Sequence, residues 1–393
     1  MMGEHVSRRD LIRLGSGAAV TAALTGAGLA GTGPFGGTAR ASQPSSASAA
    51  APAPTAGSGA APLGLPVSQA FDLADPSDPV FMHRPTWCPT VMQSAGYDHL
   101  NKRWYVAQVM YNPGDGVPYA TRLKEGDIAI TALSADGATK IGRMYLRGFG
   151  HGAQIGVEPT AAGRPPYLWI EYDARAADGR TGFGTKICRI KYLGPPASQP
   201  PRSFHWDDAA DRTAMDFKDR TPDPAKLPGT GATLTSPRPV VDMHHRRVLV
   251  RFDRGGTQQC AVWDLDAAVS SPLGAPLAHR AGLYKPPVAQ GFCLYGSFMY
   301  IYEGEAYKNG GPGNADDTGN TYITRLDLNT GVTEKALTRA LKSLAFREPE
   351  GMNVMLVPDA AGPGGYRPRL TFGFASGAEG DRRANIAYKD KLI

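Results

Sequence analysis

The feature that most constrains the fold is a repeat of short paired strands. In each unit, a segment that opens on a polar residue is followed by a turn and then by an aromatic or aliphatic strand. The opening segments begin at Gln93, His151, Arg238, Gln290 and Glu350, so successive units are 58, 87, 52 and 60 residues apart. The strands that follow them are Trp104–Gln108, Tyr167–Tyr172, Val248–Phe252, Phe298–Tyr302 and Arg369–Phe374. A repeat of this length predicts a set of similar small sheets rather than one continuous sheet.

Further strands recur outside these pairs, at Ala129–Leu133, Lys186–Tyr192, Ala261–Leu265 and Tyr322–Leu328. They are short and rich in aromatic and β-branched residues, and Gly, Asp or Asn bounds them, as is typical of strands. Five sheets of about four strands each, closed around an axis, form an all-β, five-bladed β-propeller. A β-sandwich is the alternative fold, and the even repeat argues against it.

Two segments depart from the repeat. Residues 195–232 are rich in Pro and Asp and lie within the longest interval. They predict a long insertion, and the propeller has six blades if this insertion folds as a blade of its own. The segment Thr333–Ala345 is the one place where a helix is predicted.

The first 41 residues have the pattern of a twin-arginine export signal. Arg8 and Arg9 precede an apolar stretch from Leu14 to Ala30, and Ala39-Arg40-Ala41 offers a small-x-small cleavage site. The stretch is too short and too weakly apolar to span a membrane. The alternative is an ordinary N-terminal helix with a chance Arg-Arg pair. We therefore expect an exported, secreted protein, with wall association as a further option.

Composition divides the rest of the chain into two parts. Residues 42–66 are almost wholly Ala, Pro, Ser and Gly and predict a disordered tether. Residues 67–393 contain no comparable break and predict a single propeller domain. No other segment reaches 18 apolar residues, so we expect no membrane span, and we expect a monomer.

The net charge is mild. The whole chain carries +6, and removal of a signal with four arginines and two acids leaves about +4. The charges are scattered without a long Lys/Arg run, which argues against a nucleic-acid partner. A mild positive charge is compatible with an anionic polymer as partner.

Four cysteines are present, Cys88, Cys188, Cys260 and Cys293, and no two have the close spacing of a zinc or redox motif. Disulfides in an oxidising compartment and buried thiols both remain open.

Polar residues mark the predicted axis. In a propeller the innermost strands line the central channel, and here the start of each innermost strand is polar: Gln93, His151 or Gln154, Arg238, Gln290, and Glu348 or Glu350. Amides donate and accept hydrogen bonds as hydroxyls do, and arginine holds carboxylate or phosphate in a fork. This set predicts binding of a hydroxyl-rich, partly anionic sugar polymer, with Trp87, Trp104, Trp169 and Tyr295 as stacking residues. The alternative is a ring that holds water and ties the blades together.

Several of these segments together resemble a known family. They are Met92-Gln93-Ser94, Gly148-Phe149-Gly150-His151-Gly152, Trp169-Ile170-Glu171, Gln290-Gly291-Phe292 and Arg347-Glu348-Pro349-Glu350-Gly351-Met352. Over about residues 80–390 they look like the teichoic acid biosynthesis protein C group, which is similar to the receptor-binding propellers of certain staphylococcal phages. The resemblance implies a five-bladed propeller and a link to wall glycopolymers of Gram-positive bacteria. The insertion at 195–232 and Arg238-Pro239 depart from the pattern.

The sequence is compatible with a binding protein and with an enzyme. A glycoside hydrolase needs two carboxylates across the bond, for which Glu171, Glu348 and Glu350 are candidates. We expect Glu348 and Glu350 to face opposite ways, so Glu350 with Glu171 is the preferred pair. A polysaccharide lyase needs a base, here His151, and a group that neutralises a carboxylate, here Arg238 or Gln290. The glycines that flank His151 suggest close approach of a ligand.

Two loops carry weaker signals. His244-His245 is predicted to lie in a solvated turn, with metal binding as the alternative. The segment from Tyr307 to Asn320 holds Asp316-Asp317 among glycines and predicts a rim loop that touches ligand or calcium, or a mobile loop. Calcium is thus the one cofactor considered. Gly-x-Ser-x-Gly, His-Glu-x-x-His and Gly-rich phosphate loops are absent from the sequence, which argues against a serine hydrolase, a zincin or a nucleotide enzyme.

Overall fold

The computed structural model describes residues 64–230, 233–307 and 320–393. The predicted export signal, residues 1–41, and the predicted tether up to residue 63 lie outside the described residues, as do residues 308–319 of the predicted rim loop. No helix within the described ranges is long and apolar enough to cross a membrane.

Five antiparallel sheets form the five blades of a propeller, as the repeat predicts. From the axis outward, the first blade consists of β2 (Met92–Asp98), β3 (Arg103–Val109), β4 (Ile128–Ser134) and β5 (Lys140–Arg147). The second consists of β6 (Gly156–Glu158), β7 (Tyr167–Arg175), β8 (Phe183–Lys191) and β10 (Lys218–Asp219). The third consists of β11 (Thr235–Asp242), β12 (Arg247–Arg254), β13 (Thr257–Asp264) and β14 (Ala278–Ala281).

The remaining blades follow the same order. The fourth consists of β15 (Ala289–Tyr295), β16 (Phe298–Glu303), β17 (Tyr322–Asp327) and β18 (Thr333–Leu337). The fifth consists of β19 (Glu348–Pro358), β20 (Tyr366–Ser376), β21 (Arg383–Lys389) and β1 (Asp78–Pro85). Short helices lie in the connections: α1 (Tyr119–Glu125), α2 (Ala209–Ala214), α3 (Leu265–Ser270) and two 3-10 turns, Pro224–Lys226 and Pro363–Gly365.

The N-terminal strand closes the ring. Strand β1 pairs with β21, so the outermost strand of the fifth blade comes from the other end of the chain. Phe81 of β1 is buried and meets Trp104 of the first blade edge to face, with ring centroids 5.9 Å apart. The strand therefore joins the last blade to the first and leaves neither edge of the ring open.

Ordered contacts begin before this strand. Leu65 is buried and exchanges two hydrogen bonds with the side chain of Asn329, at 3.3 and 3.0 Å. The last residues of the predicted tether are thus packed against the fourth blade.

The insertion at 195–232 does not form a sixth blade. It contributes β9 (Arg202–His205), which pairs parallel to β5, and then β10, which pairs with β8. The segment between them is α2, whose first turn is capped by the Asp208 carboxylate. The insertion therefore adds a fifth strand to the first blade and supplies the outermost strand of the second.

The helix predicted for Thr333–Ala345 is wrong. Residues 333–337 form β18, which pairs with β17 along its whole length. Lys335 reaches the Glu303 carboxylate and lies over the Tyr322 ring at 4.4 Å, while Glu334 pairs with Arg325. These cross-strand contacts outweigh the helix preference of a short Glu-Lys-Ala-Leu run.

All four cysteines are buried thiols without a disulfide bond. Burial raises the pKa of Cys260 to about 12 and also raises the pKa of Cys88. Their chemistry is therefore that of small apolar core residues.

Ring closure predicts a stability effect at Phe81. Phe81→Ala removes a buried aromatic ring from the contact between the last and first blades, and we expect the free energy of unfolding to fall by about 3–5 kcal/mol. Asp78→Ala, an exposed change in the same strand, is the control and leaves stability within about 0.5 kcal/mol. Denaturant unfolding monitored by tryptophan fluorescence measures both. Equal midpoints for the two variants would show that β1 does not hold the ring closed.

Candidate functional site

The predicted axial residues lie at one end of the channel, which we call the mouth. Five of them sit on the innermost strands: Gln93 on β2, Arg238 on β11, Gln290 on β15, and Glu348 and Glu350 on β19. His151 and Gln154 lie in the loop that leads into β6. All seven are more than nine-tenths buried. Their side chains are therefore part of the packed interior around the mouth rather than a solvated lining.

Close packing of the inner strands aligns three of these residues. A Cβ on Gly351 would lie 2.6 Å from Ser94 Cα, and a Cβ on Gly291 would lie 2.9 Å from Gly351 Cα. Gln93, Glu350 and Gln290 each come one position before a member of this contact layer. They therefore occupy equivalent positions on three neighbouring strands.

The His151 loop joins the same group. Ser94 Oγ donates a hydrogen bond to Gly152 O at 2.7 Å, and a Cβ on Gly152 would lie 3.9 Å from Gln93 Cβ. The loop is thus packed against β2, which places His151 beside Gln93 at the mouth.

A buried carboxylate builds the His151 loop. Glu171 is fully buried, and its Oε1 accepts hydrogen bonds from the backbone N–H groups of His151 (3.1 Å), Gly152 (2.8 Å) and Ala153 (3.3 Å). Its Oε2 accepts from Gly184 N at 2.6 Å and pairs with Arg238 Nη2 at 3.1 Å. Both oxygens are occupied by the protein, which argues against a role as nucleophile or proton donor in a Glu350–Glu171 pair.

The same carboxylate explains the glycine before His151. A Cβ on Gly150 would lie 2.4 Å from Glu171 Cδ, and Gly150 has a φ of +142°. The glycine is required so that the backbone can pass over the buried carboxylate. Gly150 therefore serves the path of the backbone, and its presence does not indicate that a ligand approaches the imidazole.

Arg238 and His151 share one aromatic neighbour. The guanidinium of Arg238 lies 5.5 Å from the Phe183 ring, and the His151 ring lies 5.0 Å from it. Arg238 also donates to Pro237 O at 2.8 Å and to Gly184 O at 3.2 Å. Phe183 was not predicted as a site residue, because only its position between Gly182 and Gly184 distinguishes it in the sequence.

Gln154 spans the channel. Its Nε2 donates to Met352 O at 3.3 Å and its Oε1 accepts from Phe292 N at 3.2 Å. One amide thereby ties the second blade to the inner strands of the fourth and fifth. Gln290 makes a more local bond, from Nε2 to Gly304 O at 2.9 Å. Gln154 thus matches the alternative in which axial polar groups tie the blades together, whereas the bond of Gln290 stays within the fourth blade.

A β-bulge separates the two glutamates of β19. Residues two apart on a regular strand share a face, but the register of β19 against β20 shifts between Pro349 and Met352. Glu350 lies near Tyr302 of the fourth blade, whose pKa is raised well above its usual value by burial and further by this carboxylate. Glu348 lies near Arg382, where burial lowers the pKa and the carboxylate opposes that shift. The two carboxylates have different neighbours, and the bulge is the reason.

Three of the four predicted stacking residues are not available to a ligand. Trp104 and Trp169 are fully buried, and their indole N–H groups donate to Ala135 O and to Glu158. Tyr295 is buried against His244 and His245, and all three lie at the end of the channel opposite the mouth. Trp87 is half-buried, with Arg143 4.2 Å and Lys140 4.4 Å from its ring.

The histidine pair is partly buried rather than solvated. Nδ1 of His245 lies 2.8 Å from the Asp242 carboxylate, and burial lowers the pKa of His244. Within the described ranges, no three or more His, Cys, Asp or Glu side chains are placed to hold a metal ion. Asp316 and Asp317, considered for calcium, lie outside those ranges.

The Glu171 geometry predicts a large stability loss in Glu171→Gln. The amide turns a donor toward backbone N–H groups and leaves Arg238 buried without its counter-charge, so we expect unfolding free energy to fall by about 3–5 kcal/mol. Glu334→Gln, which removes an exposed partner of Arg325, should cost less than about 1 kcal/mol. Urea denaturation of both variants measures the difference. A Glu171→Gln protein as stable as Glu334→Gln would contradict this role.

Comparison with known proteins shows the fold. The tail fiber of Staphylococcus aureus phage P68 matches with a TM-score of 0.55 at 18% identity, over 81% of this chain and 53% of the tail fiber. The chain thus spans about half the length of that protein. No protein-family model matches the chain, and no curated protein does. The resemblance to the teichoic acid biosynthesis protein C group therefore stays a prediction.

Other solved propellers are more distant. A glycoside hydrolase family 43 arabinoxylan arabinofuranohydrolase from Bacillus subtilis matches with a TM-score of 0.36 at 12% identity, over 76% of this chain and 63% of that one. An exo-beta-1,3-galactanase from Phanerochaete chrysosporium matches with a TM-score of 0.37 at 8% identity, over 80% and 64%. Likenesses at this level carry no argument about activity. The described chain is a five-bladed β-propeller, and its fold is similar to that of about half of the phage tail fiber.

Proposed function

We propose that this propeller binds an anionic, hydroxyl-rich glycan at the mouth of its central channel. The observation that carries the proposal is the alignment of Gln93, Gln290 and Glu350 on three neighbouring inner strands, with His151 packed beside Gln93. Two amides, an imidazole and a carboxylate at one end of a channel supply both donors and acceptors, as a polyhydroxylated ligand requires.

One cation at the mouth, Arg238, shares the Phe183 ring with His151. Glu171 balances the charge of Arg238, and the imidazole of His151 adds a hydrogen-bonding group beside it. The sequence resemblance directs the search for a ligand to teichoic acid-like wall polymers.

A polysaccharide lyase is the second candidate. It is favoured by the fixed main chain of His151, which Glu171 holds through N–H groups of residues 151–153. A fixed backbone position suits a residue that acts as a general base. The glycoside hydrolase is less favoured because Glu171, half of its preferred carboxylate pair, is fully engaged by the protein.

One experiment separates binding from cleavage. The domain is incubated with teichoic acids, uronic-acid gums and arabinogalactans, while calorimetry follows binding and assays follow reducing ends and unsaturated uronates. We expect one polymer to bind without product, and His151→Ala to weaken that binding about tenfold. Lys226→Ala, an exposed change in the insertion, is the control and keeps wild-type affinity. Product that disappears in His151→Ala would replace the binder with the enzyme, and neither binding nor product would overturn both.

We also propose that the N-terminal 41 residues direct twin-arginine export, so that the glycan is met outside the cytoplasm. Replacing both arginines in Arg8→Lys/Arg9→Lys should leave the full-length precursor inside cells, because the export machinery reads the arginine pair. Cell fractionation and N-terminal sequencing measure this, with Arg13→Lys as the control. Equal export of the double variant would contradict the proposal.

A further inference from the structure

The mouth face carries an exposed pair of tyrosines. Tyr111 is 43% and Tyr119 41% exposed, and among the described residues no other Phe, Tyr or Trp is as exposed. Their ring centroids are 5.9 Å apart and the rings are tilted by 52°. Every other Phe, Tyr and Trp ring in the described part of the chain is buried or half-buried, so this pair is unusual for this molecule.

Strand register places the pair at the same end as the mouth. Met92, next to Gln93, pairs with Gln108, and Gln108 pairs in turn with Ala129. The connection from β3 to β4, residues 110–127, therefore emerges beside the start of the innermost strand of the first blade. Both tyrosines belong to this connection.

The connection is held rigidly. Arg122 of α1 is 1% exposed and forms ion pairs with Asp115 and Asp127. Burial alone would lower the pKa of Arg122, but the hydrogen bonds to these carboxylates raise it. Met110 N donates to Asp127 O at 2.9 Å and closes the connection at its base. The tyrosines are thus displayed on an ordered support rather than on a loose loop.

The same support is joined to the His151 loop. Gly148 N donates to Asp127 Oδ1 at 3.0 Å, and Gly150 N donates to Gly126 O at 2.9 Å. The residue that follows α1 and the residue before His151 are directly hydrogen-bonded. The position of Tyr119, the first residue of α1, is therefore fixed relative to the mouth.

We propose that Tyr111 and Tyr119 form a stacking platform for a sugar ring of the same polymer, next to the ring held at the mouth. A sugar ring presents C–H groups on its face, which pack against the electron-rich face of an aromatic ring. The hydroxyl of Tyr111 can also exchange hydrogen bonds with sugar hydroxyls. This inference rests on the proposed glycan binding and adds that the site accepts at least two neighbouring units.

The test is the dependence of affinity on glycan length. The polymer that binds the wild-type domain is cleaved to a single repeat unit and to oligomers of increasing length, and each is titrated by calorimetry. Tyr111→Ala/Tyr119→Ala should bind the single unit as wild type does and bind long oligomers about tenfold more weakly. Tyr111→Phe/Tyr119→Phe should retain most of the affinity for long oligomers.

The controls separate the platform from the mouth. Leu277→Ala removes a similarly exposed apolar side chain elsewhere and should not change any affinity. Because each tyrosine is about two-fifths exposed, the thermal midpoint of the double alanine variant should fall by only a few degrees, and the variant should remain fully folded at the temperature of the titration. One outcome would reject the stacking platform and keep glycan binding at the mouth. In that outcome His151→Ala weakens binding of oligomers of every length, while the double alanine variant binds all lengths like wild type. If no glycan binds the wild-type domain, both fail.

Discussion

The carboxylate of Glu171 is fully buried, and a lone charge in such a place would be strongly unfavourable. Four backbone N–H groups and one guanidinium surround it instead. Charge-assisted bonds of this kind are among the strongest available to a protein. Because three of the donors are consecutive residues, 151–153, the carboxylate fixes the path of the chain that enters the second blade. Because the guanidinium belongs to Arg238, it also joins the second blade to the third.

The close approach of the inner strands determines much of the remaining packing around the axis. At Gly351 and Gly291 the neighbouring backbone is within 3 Å of where a Cβ would stand, so a larger residue would force the blades apart. The close layer leaves little open space, and Gln154 crosses below the mouth to reach two other blades. A polar residue is used there because the groups it meets, Met352 O and Phe292 N, are backbone groups that would otherwise lie buried without partners.

The sequence predicts the strands well and the roles of the polar residues less well. The aromatic and β-branched run Trp104–Gln108 predicts a strand, and β3 runs from Arg103 to Val109. The helix predicted at 333–345 is wrong because partners on other strands, which are distant in sequence, decide the conformation of Glu334 and Lys335. The prediction that Trp104 and Trp169 stack on sugars is wrong, because a pattern of aromatic residues does not distinguish a core ring from a binding ring. Tyr111 and Tyr119 carry no periodic signal at all, and only exposure in the fold sets them apart.

The mouth shows why this ambiguity is inherent in a propeller. Its channel collects polar groups for two reasons, since inner strands need partners for buried backbone atoms and a ligand needs donors and acceptors. Glu171 and Gln154 belong to the first class by their contacts. Gly150 follows from Glu171, because a side chain at that position would strike the carboxylate. The Gly-His-Gly sequence therefore contains one glycine that serves the fold. The position of its histidine is set by the buried charge of Glu171, which the protein's own groups surround.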